Sequence, residues 1–285
     1  MIRIRTTRKL NRSLQGNVVN LIFVSALAYL MLVPMLFVIN NAFKPLDELF
    51  LFPPKIFVQN PTLDNFRDLL QLMGNSYVPV SRYLFNTVFI TAAGTLFHVL
   101  CASVAAYVLE KHRFPGKQLF FSAVVTSLMF SAEVTGIPNF MMMSKLGLID
   151  THYALILPAV SAPLGLFLMK QFMAGVPDAV IEAAKIDGCG ELALIFRIVM
   201  PMVRPAWLTL IIFSVQNLWN QTGGVFIRTE TLKTLPFALE QIIASGIVRA
   251  GTGAAVGLIL MIVPVAVFIV SQRYVLDTMS TSGLK

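Results

Sequence analysis

The chain has 285 residues and a formal net charge of +8; 56% of its residues are hydrophobic and only 13% are charged. Because soluble domains normally carry about 25% charged residues, this composition excludes an ordinary soluble protein and indicates one bathed in lipid. Basic runs with interleaved aromatic residues are absent outside the apolar segments, so the positive charge does not indicate nucleic-acid binding.

The first apolar segment runs from Val18 to Ile39, long enough to cross a bilayer, which takes about 20 residues. It follows a basic segment without acids, whose charged residues are Arg3, Arg5, Arg8, Lys9 and Arg12. The excess of Lys and Arg predicts a cytoplasmic N-terminus. The apolar run continues well past the Ala26-Leu27-Ala28 triplet, which favours a retained anchor over a cleaved signal peptide.

Further apolar stretches of spanning length follow at 83–109, 119–143, 153–172, 202–219 and 252–270. Lipid offers no partners for exposed backbone groups, so helices are expected throughout. We therefore predict one all-α integral membrane domain over residues 1–285, with six transmembrane helices and both termini in the cytoplasm. The outer segment 42–82 is expected to form a folded cap with a short helix from Leu63 to Leu72.

The longest inner loop, residues 173–201, has the pattern of two short helices. Pro177 and Asp178 are typical of a helix start, and an acid favours the positive N-terminal end. Gly188 and Gly190 are expected to end this helix with a turn. A second helical stretch would then run from Glu191 back to the membrane, leaving a projection that suits docking to a partner.

This loop contains Glu182-Ala183-Ala184, then Gly188, then Ile198-Val199-Met200-Pro201. The spacing resembles the signature of the membrane subunits of bacterial binding-protein-dependent ABC importers: Glu-Ala-Ala, three residues, Gly, nine residues, Ile-x-Leu-Pro. Met200 replaces the usual Leu, a change that conserves volume. The chain is most similar to the carbohydrate branch, the maltose-type second permease subunits. The segments similar to that branch are Thr62-Leu63-x-Asn65-Phe66, Gly147-Leu148-Ile149-Asp150-Thr151, Trp219-Asn220 and Gln272-Arg273-Tyr274.

The resemblance implies the permease fold with a cytoplasmic coupling helix, in a multi-pass protein of the bacterial cytoplasmic (inner) membrane. It implies a non-catalytic subunit that forms half of the translocation pathway for a sugar, expected to be an oligosaccharide. The implied partners are a second permease, a dimer of ATP-binding subunits and an extracytoplasmic solute-binding protein. The residues implied in coupling to the ATPase are Glu182, Ala183, Ala184, Asp187 and Gly188.

In the family, the glutamate fixes the coupling helix in a cleft of the ATPase, the alanines allow close approach and the glycine permits the turn. The chain lacks the Gly-x-x-x-x-Gly-Lys-Ser/Thr loop that cradles nucleotide phosphates, so ATP and Mg would be bound by the separate ATPase. No cofactor or metal site is expected in this chain.

Polar residues in or beside the spans are candidates for the substrate pathway. Glu133 is the only acid within a predicted span, and an intramembrane carboxylate is by default a functional hypothesis. It could bond a sugar hydroxyl, or it could be a capped residue without that role. Asn220 and Gln221 could touch substrate or a gate, whereas His98 is better explained as a packing histidine bonded to a neighbouring helix.

Other residues favour structural interpretations. Tyr83 and Trp219 lie near span ends, as interfacial aromatics do. The small-residue run between Gly251 and Gly257 would let helices approach closely.

Two alternative functions stay open. One is an importer of the same fold for a non-sugar solute such as a peptide, a phosphonate or an amino acid. The other is an ion-coupled secondary carrier, although such proteins usually need several intramembrane ionisable groups. An intramembrane enzyme is disfavoured because neither His-Glu-x-x-His nor Gly-x-Ser-x-Gly occurs.

Overall fold

The computed structural model describes residues 14–74, 77–244 and 249–282. The basic cluster of residues 3–12, which predicts the orientation of the chain, lies outside the described residues. The side chains of residues 273–282 also lie outside the described part. The predicted similarity at Arg273 and Tyr274 therefore falls outside the described residues.

The described residues are helical and contain no strand. The α-helices are α1 (Leu14–Phe43), α2 (Leu46–Leu49), α3 (Asp64–Gly74), α4 (Val80–Lys111), α5 (Lys117–Ser127), α6 (Ala132–Lys145), α7 (Tyr153–Val160), α8 (Pro163–Met173), α9 (Asp178–Ile186), α10 (Glu191–Leu194), α11 (Met200–Met202), α12 (Arg204–Trp219), α13 (Leu235–Ile243) and α14 (Ala250–Ser282). A π-helical turn, Ile195–Val199, joins α10 to α11, and short 3₁₀ turns occur at Gly224–Phe226 and Glu230–Leu232.

Four helical segments in the described part are long and apolar enough to cross a membrane. They are Gly16–Phe43, Val80–Lys111, Tyr153–Met173 and Ala250–Gln272. These segments contain the predicted first, second, fourth and sixth spans. The short helix predicted in the outer segment is also present, as α3.

The third predicted span, 119–143, is interrupted in the structure. Helix α5 ends at Ser127, and α6 begins at Ala132. Between them Met129 N–H donates to the Thr126 carbonyl at 3.0 Å, an i→i−3 bond that tightens the chain into a turn. Ser131 is then extended, with φ −74° and ψ 160°, as a residue preceding a helix should be.

The helix predicted for the fifth span, 202–219, starts later and follows a sharp bend. Helix α12 has only 16 residues and meets the preceding segment, Glu191–Met202, at a bend of 87°. Pro205 has no N–H to continue the hydrogen-bond ladder, so the chain breaks at Val203. The indole N–H of Trp207 donates to the Met200 carbonyl at 3.1 Å and so satisfies an acceptor beside the break.

The described residues belong to two compact units. One comprises residues 70–246 with 259–285 and is organised around α4, against which α7, α8 and α12 pack. Its larger apolar cluster includes Tyr107, Met173 and Leu194, all at most 1% exposed. A second cluster around Ile90 and Leu155 lies toward the other end of α4.

The other unit comprises residues 1–69 with 247–258. The carboxylate of Glu48 accepts the backbone N–H groups of Gln59 at 2.8 Å and Asn60 at 3.3 Å. The Asn65 amide donates to the Ala42 carbonyl at 3.0 Å, which folds α3 back on the end of α1. A Cβ at Gly251 would lie 2.1 Å from Asn65 Oδ1, so this member of the small-residue run permits close approach, as predicted.

Candidate functional site

The helix that carries the Glu-Ala-Ala signature, α9, has one buried and one exposed face. Ile181 and Ala184 are 6% and 7% exposed and pack in the apolar cluster that contains Tyr107 and Met173. Glu182 and Ala183 are exposed. Since Ala184 contacts the core of its own chain, only Ala183 of the alanine pair presents its surface for close approach by another protein.

The first turn of α9 is tied to the end of α4. The ammonium of Lys111 donates to Asp178 Oδ1 at 2.7 Å and to the Val176 carbonyl at 2.6 Å. This hydrogen bond and the charge of Lys111 hold the pKa of the Asp178 carboxyl below its usual range. The acid predicted to begin the helix therefore also anchors it.

The other end of α9 closes in a glycine turn, as the sequence predicts. Gly188 has a φ of +79°, in the left-handed region that favours glycine. The N–H of Cys189 donates to the Ala184 carbonyl at 2.9 Å, and that of Gly188 donates to the Lys185 carbonyl at 3.1 Å. These two bonds are those of a Schellman motif, which satisfies the last carbonyls of the helix and reverses the chain.

Glu191, the first residue of α10, contacts both α9 and α4. Its Oε1 is 2.7 Å from the Lys185 ammonium on α9. Its Oε2 accepts the Tyr107 hydroxyl of α4 at 3.0 Å and lies 3.9 Å from His112 Nε2. Sequence reasoning missed the bonds from Tyr107 to Glu191 and from Lys111 to Asp178, which tie the loop 173–201 to α4. Nothing local marks contacts between residues 67 to 84 positions apart.

Large apolar side chains lie beside the exposed signature residues. Ile186 is 86% exposed and Leu192 is 67% exposed, on opposite sides of the glycine turn. Asp187 and Gly188 between them are exposed as well. The loop therefore exposes two acids, two small residues and two large apolar side chains.

The candidate pathway residues lie on two separate elements. Glu133 is exposed and sits in the first turn of α6, where the helix dipole favours a negative charge. Asn220 follows α12, is exposed, and donates from Nδ2 to the Gln216 carbonyl at 2.9 Å. The half-buried Gln221 accepts the Thr234 hydroxyl on its backbone oxygen at 3.0 Å. Among the described hydrogen bonds, none joins Glu133 to the other two.

His98 is a packing histidine, as the sequence predicted. It is 5% exposed, and its Nε2 lies 3.2 Å from the Ala162 carbonyl between α7 and α8. Since a carbonyl only accepts, Nε2 carries the proton in this bond. With the proton on Nε2, Nδ1 accepts the Ser214 hydroxyl of α12 at 2.9 Å, so this side chain of α4 bonds both α12 and the connection between α7 and α8.

The two aromatics predicted at the membrane interface are instead buried in the protein. Tyr83 is 2% exposed, and its hydroxyl donates to Glu230 Oε1 at 2.8 Å. Trp219 is 5% exposed, and its indole N–H donates to the Leu260 carbonyl of α14 at 3.1 Å. Both rings have a polar group to satisfy, and each finds its partner on another segment of the chain rather than in headgroups.

The turn before α7 is held by Asp150, which has a positive φ of 64°. Its Oδ1 accepts the backbone N–H groups of Arg228 at 2.9 Å and Thr229 at 2.8 Å, and its Oδ2 accepts the Thr229 hydroxyl. These bonds, with that hydroxyl first, hold the pKa of the Asp150 carboxyl below its ordinary value. The Gly-Leu-Ile-Asp-Thr segment thus positions the chain that follows α12.

Comparison with known proteins connects these features to a family. The family described as "Binding-protein-dependent transport system inner membrane component" matches residues 8–280. The arabinooligosaccharides transport system permease protein of Halalkalibacterium halodurans is 30% identical over 91% of this chain and 93% of its own length. The polygalacturonan/rhamnogalacturonan transport system permease protein of Bacillus subtilis is 30% identical over 78% of this chain and 76% of its own.

The fold is also that of a solved transporter. A chain from the crystal structure of a bacterial ABC transporter involved in the import of the acidic polysaccharide alginate superposes with a TM-score of 0.76. It covers 94% of this chain and 99% of its own length at 19% sequence identity. This likeness concerns the fold alone.

Proposed function

The chain belongs to the family of inner membrane components of binding-protein-dependent transport systems, and from that premise we propose that it is the permease subunit of an ATP-driven importer for a carbohydrate. It forms half of a translocation pathway and hydrolyses no ATP itself. The observation that carries this function is the exposed Glu182-Ala183 face of α9, held on a braced loop that matches the family signature.

The proposed cargo is an oligosaccharide. Two relatives that are 30% identical over most of their length are permeases for arabinooligosaccharides and for polygalacturonan or rhamnogalacturonan. Asn220 beside α12 and Glu133 on α6 are exposed groups that can bond hydroxyls. We assign these two residues and Gln221 to the substrate pathway.

The proposed partner on the inner face is an ATPase dimer. Glu182 enters a cleft of the ATPase, Ala183 allows close approach, and Ile186 and Leu192 bury apolar surface beside them. Asp187 and Gly188 shape the turn between these contacts. ATP and Mg belong to that partner.

In the bilayer the chain crosses six times, with both termini in the cytoplasm. Helices α5 and α6 together make the third crossing, and α12 makes the fifth. A second, different permease supplies the other half of the pathway, and an extracytoplasmic binding protein delivers the sugar to the outer face.

The docking role is tested by co-purification from native membranes in mild detergent. The wild-type chain should bring down a second permease and an ATPase in fixed ratio, whereas Glu182→Arg should lose the ATPase and keep the permease. Glu240→Arg is the matched control, since Glu240 is exposed on α13, far along the chain from the docking loop. Recovery of the wild-type chain alone, with transport intact, would refute the importer and favour an ion-coupled carrier acting through Glu133.

The cargo is tested by growth on single carbon sources. A strain lacking this permease should fail to grow on one class of oligosaccharide and should recover when the gene is restored. Unimpaired growth on all saccharides, together with loss of peptide, phosphonate or amino-acid uptake, would support the same fold with a different cargo.

A further inference from the structure

Both ends of the docking helix are fastened to one membrane helix. At its start, Lys111 of α4 bonds Asp178 at 2.7 Å and the Val176 carbonyl at 2.6 Å. At its end, Lys185 reaches Tyr107 of α4 through the shared carboxylate of Glu191. Tyr107 and Lys111 are four residues apart and therefore lie on the same face of α4.

The opposite end of α4 holds the segment that follows α12. The Asn86 amide donates to the carbonyls of Thr231 and Lys233, each at 2.9 Å. The Thr87 hydroxyl accepts the Leu235 N–H at 2.8 Å. Together with the bond between Tyr83 and Glu230 described above, these contacts attach residues 230–235 to the first two turns of α4.

Helix α4 is long and unbroken between these two attachments. Its 32 residues extend about 48 Å at 1.5 Å per residue, more than the ~30 Å of the hydrocarbon core. It contains no proline. Direct contact with α9 and with residues 230–235 therefore occurs at the two ends of one rigid element.

The helices on either side of the loop 173–201 are interrupted, unlike α4, and are therefore less suited to transmit a displacement along their length. The helix that leads into α9, α8, is separated from α7 at Ser161 and Ala162. The helix that follows the docking loop, α12, is reached only through the 87° bend at Val203. If α9 moves, bending at either of these breaks would absorb part of the movement. Helix α4 has no such break.

We propose that α4 transmits movement of the docking helix to the outer face, with Tyr107, Lys111 and Glu191 as positioning residues that clamp α9 to it and with Asn86 as the outer attachment. This proposal rests on the proposed function. When the ATPase closes and moves α9, the clamp carries α4 with it, and α4 moves residues 230–235 where the sugar is delivered. Coupling then runs in both directions, since a binding protein acting at the outer face biases the same rigid helix.

The test measures coupling in the assembled complex reconstituted with its ATPase and binding protein. Tyr107→Phe removes the clamp hydroxyl, and Glu191→Gln removes the negative charge and one of the two acceptor oxygens; both keep side-chain size. Asn86→Leu removes the outer bonds. Each should leave ATPase binding and basal ATP hydrolysis near the wild-type level. Stimulation of hydrolysis by sugar-loaded binding protein should fall about fivefold or more, the lower end of typical coupling effects.

Two further variants make the result specific. Tyr29→Phe changes a tyrosine that is 67% exposed on α1 and should retain full stimulation. Lys185→Glu should lose stimulation, and adding Glu191→Lys should restore part of it by rebuilding the ion pair with reversed charges. Recovery of stimulation in the double variant is a result that general misfolding would not produce.

Two outcomes would overturn the proposal. One is full stimulation in Tyr107→Phe, Glu191→Gln and Asn86→Leu, which would mean that α4 is not the transmitting element. The other is loss of the ATPase from the inner variants, which would make the clamp a requirement for docking rather than for transmission. Failure of the wild-type chain itself to bind an ATPase would instead refute the proposed function.

Discussion

The two glycines of the docking turn differ in backbone conformation and should differ in their tolerance of substitution. Gly188 has a φ of +79°, whereas Gly190 has a φ of −69°, and a Cβ at either position meets nothing within 4 Å. Gly188→Ala therefore suffers backbone strain without a clash, at a cost of roughly 1–2 kcal/mol. Gly190→Ala has no such strain and should be near neutral.

Thermal unfolding of the purified chain checks this difference. Gly188→Ala should lower the melting temperature by about 2–8 °C, and Gly188→Asn by less, because Asn tolerates the left-handed region better. Equal losses for Gly188→Ala and Gly190→Ala would show that the turn does not depend on the positive φ.

The carboxylate of Asp150 should make stability depend on pH. Its pKa is depressed in the folded state, so its contribution is fully present above the ordinary value of 3.8 and is lost as pH falls through the folded value. Asp150→Asn keeps the positive φ but removes the charge. The variant should melt below the wild type at pH 7, and the gap should close as the pH is lowered past 3.8.

Asp64→Asn is the control for this pH series. Asp64 pairs with Arg67 at 3.5 Å, but the two side chains are 64% and 74% exposed, and such surface pairs contribute little. Its melting curve should follow the wild type at every pH. A gap for Asp150→Asn that does not change with pH would contradict the role of the ionised carboxylate.

At the level of helix packing, the contact between α4 and α8 depends on Gly165. A Cβ there would lie 2.3 Å from His98 Nε2, and the ring is fixed by its bonds to Ala162 and Ser214. Gly165→Ala should therefore destabilise the chain by about 1–3 kcal/mol, the usual cost of overpacking. Thermal unfolding should show the loss, and His98→Ala in the same chain should recover part of it.

Gly136→Ala provides the matched control. Gly136 lies inside α6, and a Cβ there would meet nothing within 4 Å. Because Ala is favoured over Gly in a helix interior, this variant should be neutral or slightly stabilising. A comparable loss of stability in both variants would mean that crowding of His98 is not the cause.

The hydropathy pattern predicted the existence of most elements but not their interruptions. The mean hydropathy of a segment reflects how favourably it transfers into lipid. Residues 119–143 are apolar enough for a span whether or not the helix breaks. The break at 128–131 is marked only by Ser131 followed by Glu133, a helix-start pattern inside an apolar run. The bend before α12 has a clearer sign in Pro201 and Pro205.

The docking loop was predictable because its signals are local. Pro177, Asp178 and Gly188 specify a short helix and its turn within a dozen residues. The clamp between Glu191 and Tyr107 and the bond between Tyr83 and Glu230 join residues 84 and 147 positions apart. Such pairs depend on how helices pack, which a single sequence without aligned relatives does not reveal.

For the whole molecule, the number of crossings depends on whether α5 and α6 traverse the bilayer or turn back within it. Helices α5 and α6 have 11 and 14 residues, roughly 37 Å of helix in all, which is enough for one crossing of the ~30 Å hydrocarbon despite the break between them. The loop before α5 carries Lys111, Arg113 and Lys117 and so favours the cytoplasm. We therefore expect Arg113 and Leu146 to lie on opposite sides of the membrane.

Cysteine labelling with a membrane-impermeant reagent tests this topology. Cys101 and Cys189 are free thiols and are first replaced by serine. Leu146→Cys, at a position 57% exposed, should label in intact cells, and Arg113→Cys only after the membrane is permeabilised. Protection of both in intact cells would make α5 and α6 a re-entrant hairpin. In that case the chain would cross five times, and the two termini could not both be cytoplasmic.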